Sequence, residues 1–145
     1  MSEATTALRL FALEDPILAG QLGDRIRPMN LAQLDVMPCA TYETISSVPD
    51  EALDGDMEHT TDRVQFDVYA NDADVARATA RRLRAIMLDA YGILPTDVTP
   101  QPPVVVITGV STASGLRDYP PESPVDGGDR WRYRSSFDLL VSFNP

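Results

Sequence analysis

From Arg63 to Ala70 polar and apolar side chains alternate without a break, with Arg63, Gln65, Asp67 and Tyr69 set against Val64, Phe66, Val68 and Ala70. Immediately afterwards the period changes. Val75, Thr79, Leu83, Ile86, Met87 and Ala90 make a stripe at helical spacing that stops at Gly92. A strand that runs straight into an amphipathic helix buries both apolar faces by laying the helix back over the sheet to which the strand belongs. Asn71 or Asp72 is placed to cap this helix, and Asp72 and Asp74 put negative charge at the positive end of its dipole. At 1.5 Å per residue it is about 30 Å long, enough to cover one face of a small sheet.

The remaining elements fit around that unit. Ala7, Leu8, Phe11 and Ala12 recur at helical spacing between Ala4 and Asp15, and Asp15-Pro16 is a cap and first-turn pair for a short helix from Ile17 to Leu22, closed by Gly23. Together they form an N-terminal helical arm. Asp24 to Pro38, with Pro28 and Pro38, reads as an extended, irregular crossing. Cys39 to Ser47 is rich in Thr, Tyr and Ile and reads as a strand paired with the one at Arg63–Ala70. Val104 to Thr112 and Arg130 to Phe143 supply two more strands, after a linker from Pro95 to Pro103. In the last strand Trp131, Tyr133, Phe137, Leu139, Val141 and Phe143 share the core face, while Arg130, Arg132, Arg134, Ser136 and Asp138 face water or a partner. Residues 48–60 and 114–129 read as projecting loops, the first because of its acidic side chains and the second because of Pro120, Pro121, Pro124 and Gly127-Gly128. The expected fold is α+β: one domain over residues 1–145, an antiparallel sheet of about four strands, a long helix on one face and the N-terminal arm.

Charge and composition narrow the function. Twenty-two acidic residues against twelve basic ones give a net charge of −10, and every basic residue is arginine. That balance opposes tight binding of duplex DNA, whose non-specific affinity comes from neutralised phosphates, but it lets DNA pass without adhering. The aliphatic runs are far short of the roughly 20 residues that cross a bilayer. An N-terminus opening with Ser2 and Glu3 and interrupted by Arg9, Glu14 and Asp15 does not read as a secretory leader. With Cys39 alone, neither an intrachain disulfide nor a cysteine-based zinc site forms within one chain.

No chemical motif stands out. Asp56, Glu58, His59 and Asp62 could share an ion, but with a single histidine and no second ligand group elsewhere a solvated acidic segment is the expectation. Cys39 lacks a neighbouring histidine, Ser46-Ser47 lacks the glycines of a nucleophile elbow, and Gly127-Gly128 does not open a phosphate-binding helix. No cofactor, metal or catalytic residue is expected. Arg77, Arg81 and Arg84, with Arg82 beside them, line one side of the long helix and read as a solvated face that Asp74 and Asp89 can pair with. Two groups of charge are the candidate contact residues. Asp50, Glu51, Asp54, Asp56 and Glu58 lie together with no basic residue among them, and Arg130, Arg132 and Arg134 project from alternate strand positions to one side. Joining the second group to the first on a neighbouring copy would relieve the repulsion of an acidic assembly.

Three stretches carry a resemblance: LRLFALEDPILAGQLGDRI (8–26) followed by MPCATYETISS (37–47), TTDRVQFDVYANDADVARATARRLRAIM (60–87) and RWRYRSSFDLLVSFN (130–144). In layout and texture the chain resembles the small tail-completion or tail-terminator proteins of long-tailed, siphovirus-like phages and prophage-like particles. The resemblance covers most of the chain, with the central strand-to-helix unit its most specific part and 114–129 longer than the family pattern. It implies a structural virion protein, not an enzyme, assembled in the host cytoplasm into a homohexameric ring at the tail-neck junction. The ring's partners would be the tail tube protein, whose growth it stops, and the head-completion or connector protein, with DNA only passing through the lumen and no membrane involved. The acidic group 50–58 would then face the lumen or the tube. Two other readings stay open at this point: a head-completion stopper or another neck protein, and a small metal- or ligand-binding α+β domain using Asp56, His59 and Asp62. A nucleic-acid adaptor built on Arg77, Arg81 and Arg84 is a third.

Overall fold

The computed structural model describes residues 3–28, 36–52, 55–95, 104–122 and 132–144. The N-terminal arm forms α1 (Glu3–Leu13) and α2 (Pro16–Leu22). Then come β1 (Ile26–Pro28), β2 (Cys39–Ala52), β3 (Gly55–Ala70), α3 (Ala73–Leu88), β4 (Gly92–Pro95), β5 (Val104–Glu122) and β6 (Arg132–Asn144). The strands make one sheet in the order β1-β2-β3-β6-β5-β4. The four long strands are the expected antiparallel ones. β4 adds a short antiparallel pairing at one edge, and β1 a three-residue parallel one at the other, inside the stretch read as an irregular crossing. Gly92, read as the end of the helix, opens β4 at a φ of 92°, a conformation that favours glycine, whereas α3 itself stops at Asp89.

Alternation in β3 fixes the two sides of the sheet. Val64, Phe66, Val68 and Ala70 are buried beneath α3, as are Phe137, Leu139 and Val141 of β6, while Leu8, Leu18, Leu22, Leu83 and Met87 close the core from the helices. Tyr42, Phe66 and Phe137 stand directly opposite one another on three adjacent strands. Phe66 stacks on Phe137 with ring centroids 5.3 Å apart and tilts against Tyr42 at 6.1 Å. This aromatic rung sits across the centre of the sheet.

Two expected loops are strands. Residues 48–52 and 55–60 continue β2 and β3 as a hairpin, with Val48 opposite Thr61, Pro49 opposite Thr60 and Ala52 opposite Gly55. Acidic composition argues against burial, not against pairing, because the ladder is made by backbone groups whatever the side chains carry. Residues 114–122 extend β5, including Pro120 and Pro121, which an edge strand tolerates because the missing N–H is needed by no inner neighbour. Residues 123–129, with Pro124 and the Gly127-Gly128 pair, lie outside the described residues.

Asp15 joins the arm to the helix. Its carboxylate caps α2 by accepting from the Leu18 N–H at 3.0 Å and takes two hydrogen bonds from Arg82 of α3, at 2.7 and 2.8 Å. The Arg82 guanidinium first, and the Leu18 N–H second, hold the Asp15 carboxyl down to about 2 from an ordinary 3.8. The carboxylate therefore stabilises the fold fully above the unfolded value near pH 4, and that contribution is lost as pH falls towards 2. Asp15→Asn keeps a capping oxygen and removes the charge. In thermal melts the gap between wild type and D15N should be clear at pH 7 and closed by pH 2; an equal gap at both would mean the charge contributes nothing.

Candidate functional site: the polar sheet face, the projecting hairpin and the open edges

The sheet face away from the helices is a cross-strand network. Asp138 of β6 accepts from Arg63 Nε and Nη2 of β3, at 3.1 and 2.9 Å, and from Arg117 Nη2 of β5 at 2.9 Å. Ser136 Oγ donates to Asp67, which also accepts from Gln65 Nε2. Arg132 lies over the Tyr69 ring at 5.0 Å and Arg134 over the Tyr119 ring at 3.8 Å, geometry in which the cation meets the negative face of the ring. The expected exposure of Ser136 and Asp138 is therefore corrected: both are buried, Asp138 because arginines from the flanking strands fold over it and Ser136 against Asp67 of β3. Sequence pattern gave the face; it could not give Arg63 and Arg117 as the covering groups, since they lie 75 and 21 residues from Asp138.

The candidate contact residues sit at opposite ends of the sheet. β3 pairs with β6 only from Ala70 back to Thr60, opposite Phe143, so the β2-β3 hairpin runs on past the end of β6. Asp50 and Glu51 on β2 and Asp56 and Glu58 on β3 belong to this projection by their backbone, and Asp54 lies outside the described residues. At the other end β5 and β6 close towards Glu122 and Arg132, level with the Tyr69-Ala70 end of β3. Arg132 and Arg134 are there, each stacked on a tyrosine of its own chain; Arg130 lies outside the described residues.

Among the described residues the remaining groups do not assemble a reaction centre. His59 Nε2 meets Thr108 Oγ1 at 2.8 Å. Asp62, three residues on, is 1% exposed on the helix side of β3, and neither of its carboxylate oxygens has a hydrogen-bond partner. Strand alternation sends these two side chains to opposite faces. Among the described residues no group of three or more His, Cys, Asp and Glu side chains is placed to hold a metal ion. Cys39 is buried. On α3 the arginine partners differ from those expected: Arg77 pairs with Asp118 of β5 at 3.2 Å and Arg82 with Asp15, not with Asp74 or Asp89 of the same helix region.

What the geometry leaves uncovered is backbone. β1 covers β2 only at Ala40–Tyr42, and β4 covers β5 only at Val104–Ile107. Among the described residues the outer sides of β2 from Glu43 and of β5 from Thr108 have no strand beside them. Such edges present N–H and C=O groups on which another strand can pair.

Comparison with known proteins agrees in kind. The family model described as "Tail completion protein gp17" matches residues 6–111. A chain from the solved virion of a native gene transfer agent (GTA) particle superimposes with a TM-score of 0.52, over 100% of both chains and at 14% identity, a likeness of fold. No curated protein matches the sequence.

Proposed function

The chain belongs to the tail completion protein gp17 family, and from that premise we propose that it is a tail terminator: a homohexameric ring that caps the tail tube, stops its growth and joins the tail to the head connector. The observation that carries this reading is the family match, which runs from α1 through the strand-to-helix unit into β5. The protomer suits the role physically. It pairs a closed core with two strand edges that have no strand beside them among the described residues, and its sequence puts negative charge on one projecting hairpin.

In such a ring the hairpin bearing Asp50, Glu51, Asp54, Asp56 and Glu58 faces the lumen or the tube. Six copies make a negative surface that repels DNA phosphates, so the genome slides rather than binds. Because Arg132 and Arg134 are at the other end of the sheet, side-by-side neighbours do not bring them to this hairpin. The end bearing Arg132 and Arg134 instead contacts the ring above or below. The protein's location is the tail-neck junction, and its partners are its own copies, the tube protein and the connector.

Deleting the gene in the particle-producing source and imaging the lysate by negative-stain electron microscopy tests the assignment. Over-long tails lying free beside filled heads are expected. Normally joined particles would overturn the neck role altogether, and heads emptied of DNA beside tails of normal length would make the protein a head-completion stopper. Complementation with the hairpin carboxylates reversed to lysine should restore tail length and impair DNA delivery. Full delivery from those particles would remove the lumen role of the acidic group.

A further inference from the structure

Natural sheets protect their edges with charge and proline. Here charged residues make up 23% of the chain, yet both open edges contain a stretch with neither. On β2 it is Thr44–Val48, bounded by Glu43 and Pro49; on β5 it is Thr108–Leu116, ending at Arg117. Ile45 and Val48 on the first stretch are 48% and 58% exposed, large apolar side chains left in water. Among the described residues no strand lies beside this stretch, and missing gatekeepers and exposed β-branched residues coincide on it. That combination describes an edge made to accept another strand.

Polarity and level match between the two edges. β2 is antiparallel to β3, β3 to β6 and β6 to β5, so β2 and β5 run in opposite directions. A second copy set beside the first in the same orientation therefore offers its β5 antiparallel to β2, the pairing already used throughout the long strands. Following the rungs across the sheet, Ser46 lies opposite Arg63, Arg63 opposite Leu140 and Leu140 opposite Ser111, which puts the two uncharged stretches at one height. Both edges also carry an extra residue beside the Leu139 rung, Ile45 between Thr44 and Ser46 and Ala113 between Thr112 and Ser114. Bulges bend and twist a strand locally, so each edge turns at the same level.

We infer that Thr44–Val48 of one copy adds to the Thr108–Leu116 edge of the next, in antiparallel pairing, and that this head-to-tail contact joins the subunits of the ring. The inference rests on the ring reading above. A contact between two different surfaces of the same chain repeats with a constant rotation and closes when that rotation divides the circle. It also keeps all acidic hairpins on one rim and all arginine ends on the other.

Thiol cross-linking in assembled particles tests the contact. Ser46 and Ser111 are exposed, and the chain's own Cys39 is buried, so background coupling is low. Ser46→Cys is co-expressed with a second copy bearing Gly109→Cys, Ser111→Cys or Ala113→Cys, which spans a two-residue stagger to either side. Purified particles are oxidised and resolved without reductant. A covalent dimer is expected only when both partners are present, and a ladder of higher multimers when Ser46→Cys and the reactive β5 cysteine are on one chain. Cross-linking of Ser46→Cys alone would overturn the inference in favour of β2-to-β2 pairing. Intact particles that contain the protein and yield no cross-link at any β5 position would overturn it while leaving the ring standing, whereas absence of the protein from particles would instead sink the ring reading.

Discussion

Phe66→Ala should lower the unfolding free energy by about 3–5 kcal/mol, the usual cost of emptying a buried aromatic site. Phe66 is 1% exposed and is the middle ring of the Tyr42-Phe66-Phe137 rung, so its removal takes contacts from both neighbouring strands and from the helix layer above. The site cannot collapse easily, because the strand backbones on either side are fixed by their ladders. Phe66→Leu, which keeps most of the apolar volume, should cost under about 1.5 kcal/mol. Urea denaturation at constant slope separates the two. A loss below about 1 kcal/mol for the alanine variant would mean that the rung is not the centre of the core.

Asp138→Ala is the second large effect, at about 2–3 kcal/mol. Breaking a buried ion pair costs about 3–5 kcal/mol when the survivor is stranded, but here Arg63 and Arg117 are 42% and 39% exposed and can turn to water, which reduces the loss. Asp138 itself has a side chain only 6% exposed, and it links β6 to both β3 and β5 on the polar face. Asp138→Asn keeps the shape and one oxygen and should recover about half of the loss. In a double-mutant cycle, Arg63→Ala combined with Asp138→Ala should show a coupling of about 1 kcal/mol. Additive losses would show that the guanidinium contributes nothing through this contact. Because the network orients β5 against β6, the Asp138→Ala variant is also expected to assemble less well at equal folded concentration, readable by native mass.

The contrast between these two sites shows what a linear chain discloses. Phe66 and Phe137 were legible as core positions from alternation alone, because burial of one strand face leaves a period of two in the sequence. The same holds for Leu83 and Met87 at helical spacing, and for Asp15-Pro16 as the start of a short helix. Asp138 was not legible as buried. A carboxylate on the polar side of a strand carries no mark of which distant arginines will cover it. Nor was the strand character of the acidic hairpin at 48–60: composition alone does not separate a polar paired strand from a polar loop. β1 and β4 escaped for a related reason, since three or four residues hold too short a pattern and form strands only because a longer neighbour offers its edge.

By itself the sequence determined the class of the fold, the side of each long strand that goes inward, the helix that covers the sheet and the absence of a recognisable catalytic motif, all of which follow from local periodicity and side-chain chemistry. The tertiary structure decided which strands neighbour one another, and with that the two properties on which the proposed ring rests. It set the acidic hairpin and the arginine end at opposite ends of one sheet, and among the described residues it left uncharged backbone edges open on both flanks. Those are relations between residues far apart in the chain, fixed by the hydrogen-bond register of the strands, and register is a property of pairs that no single segment contains.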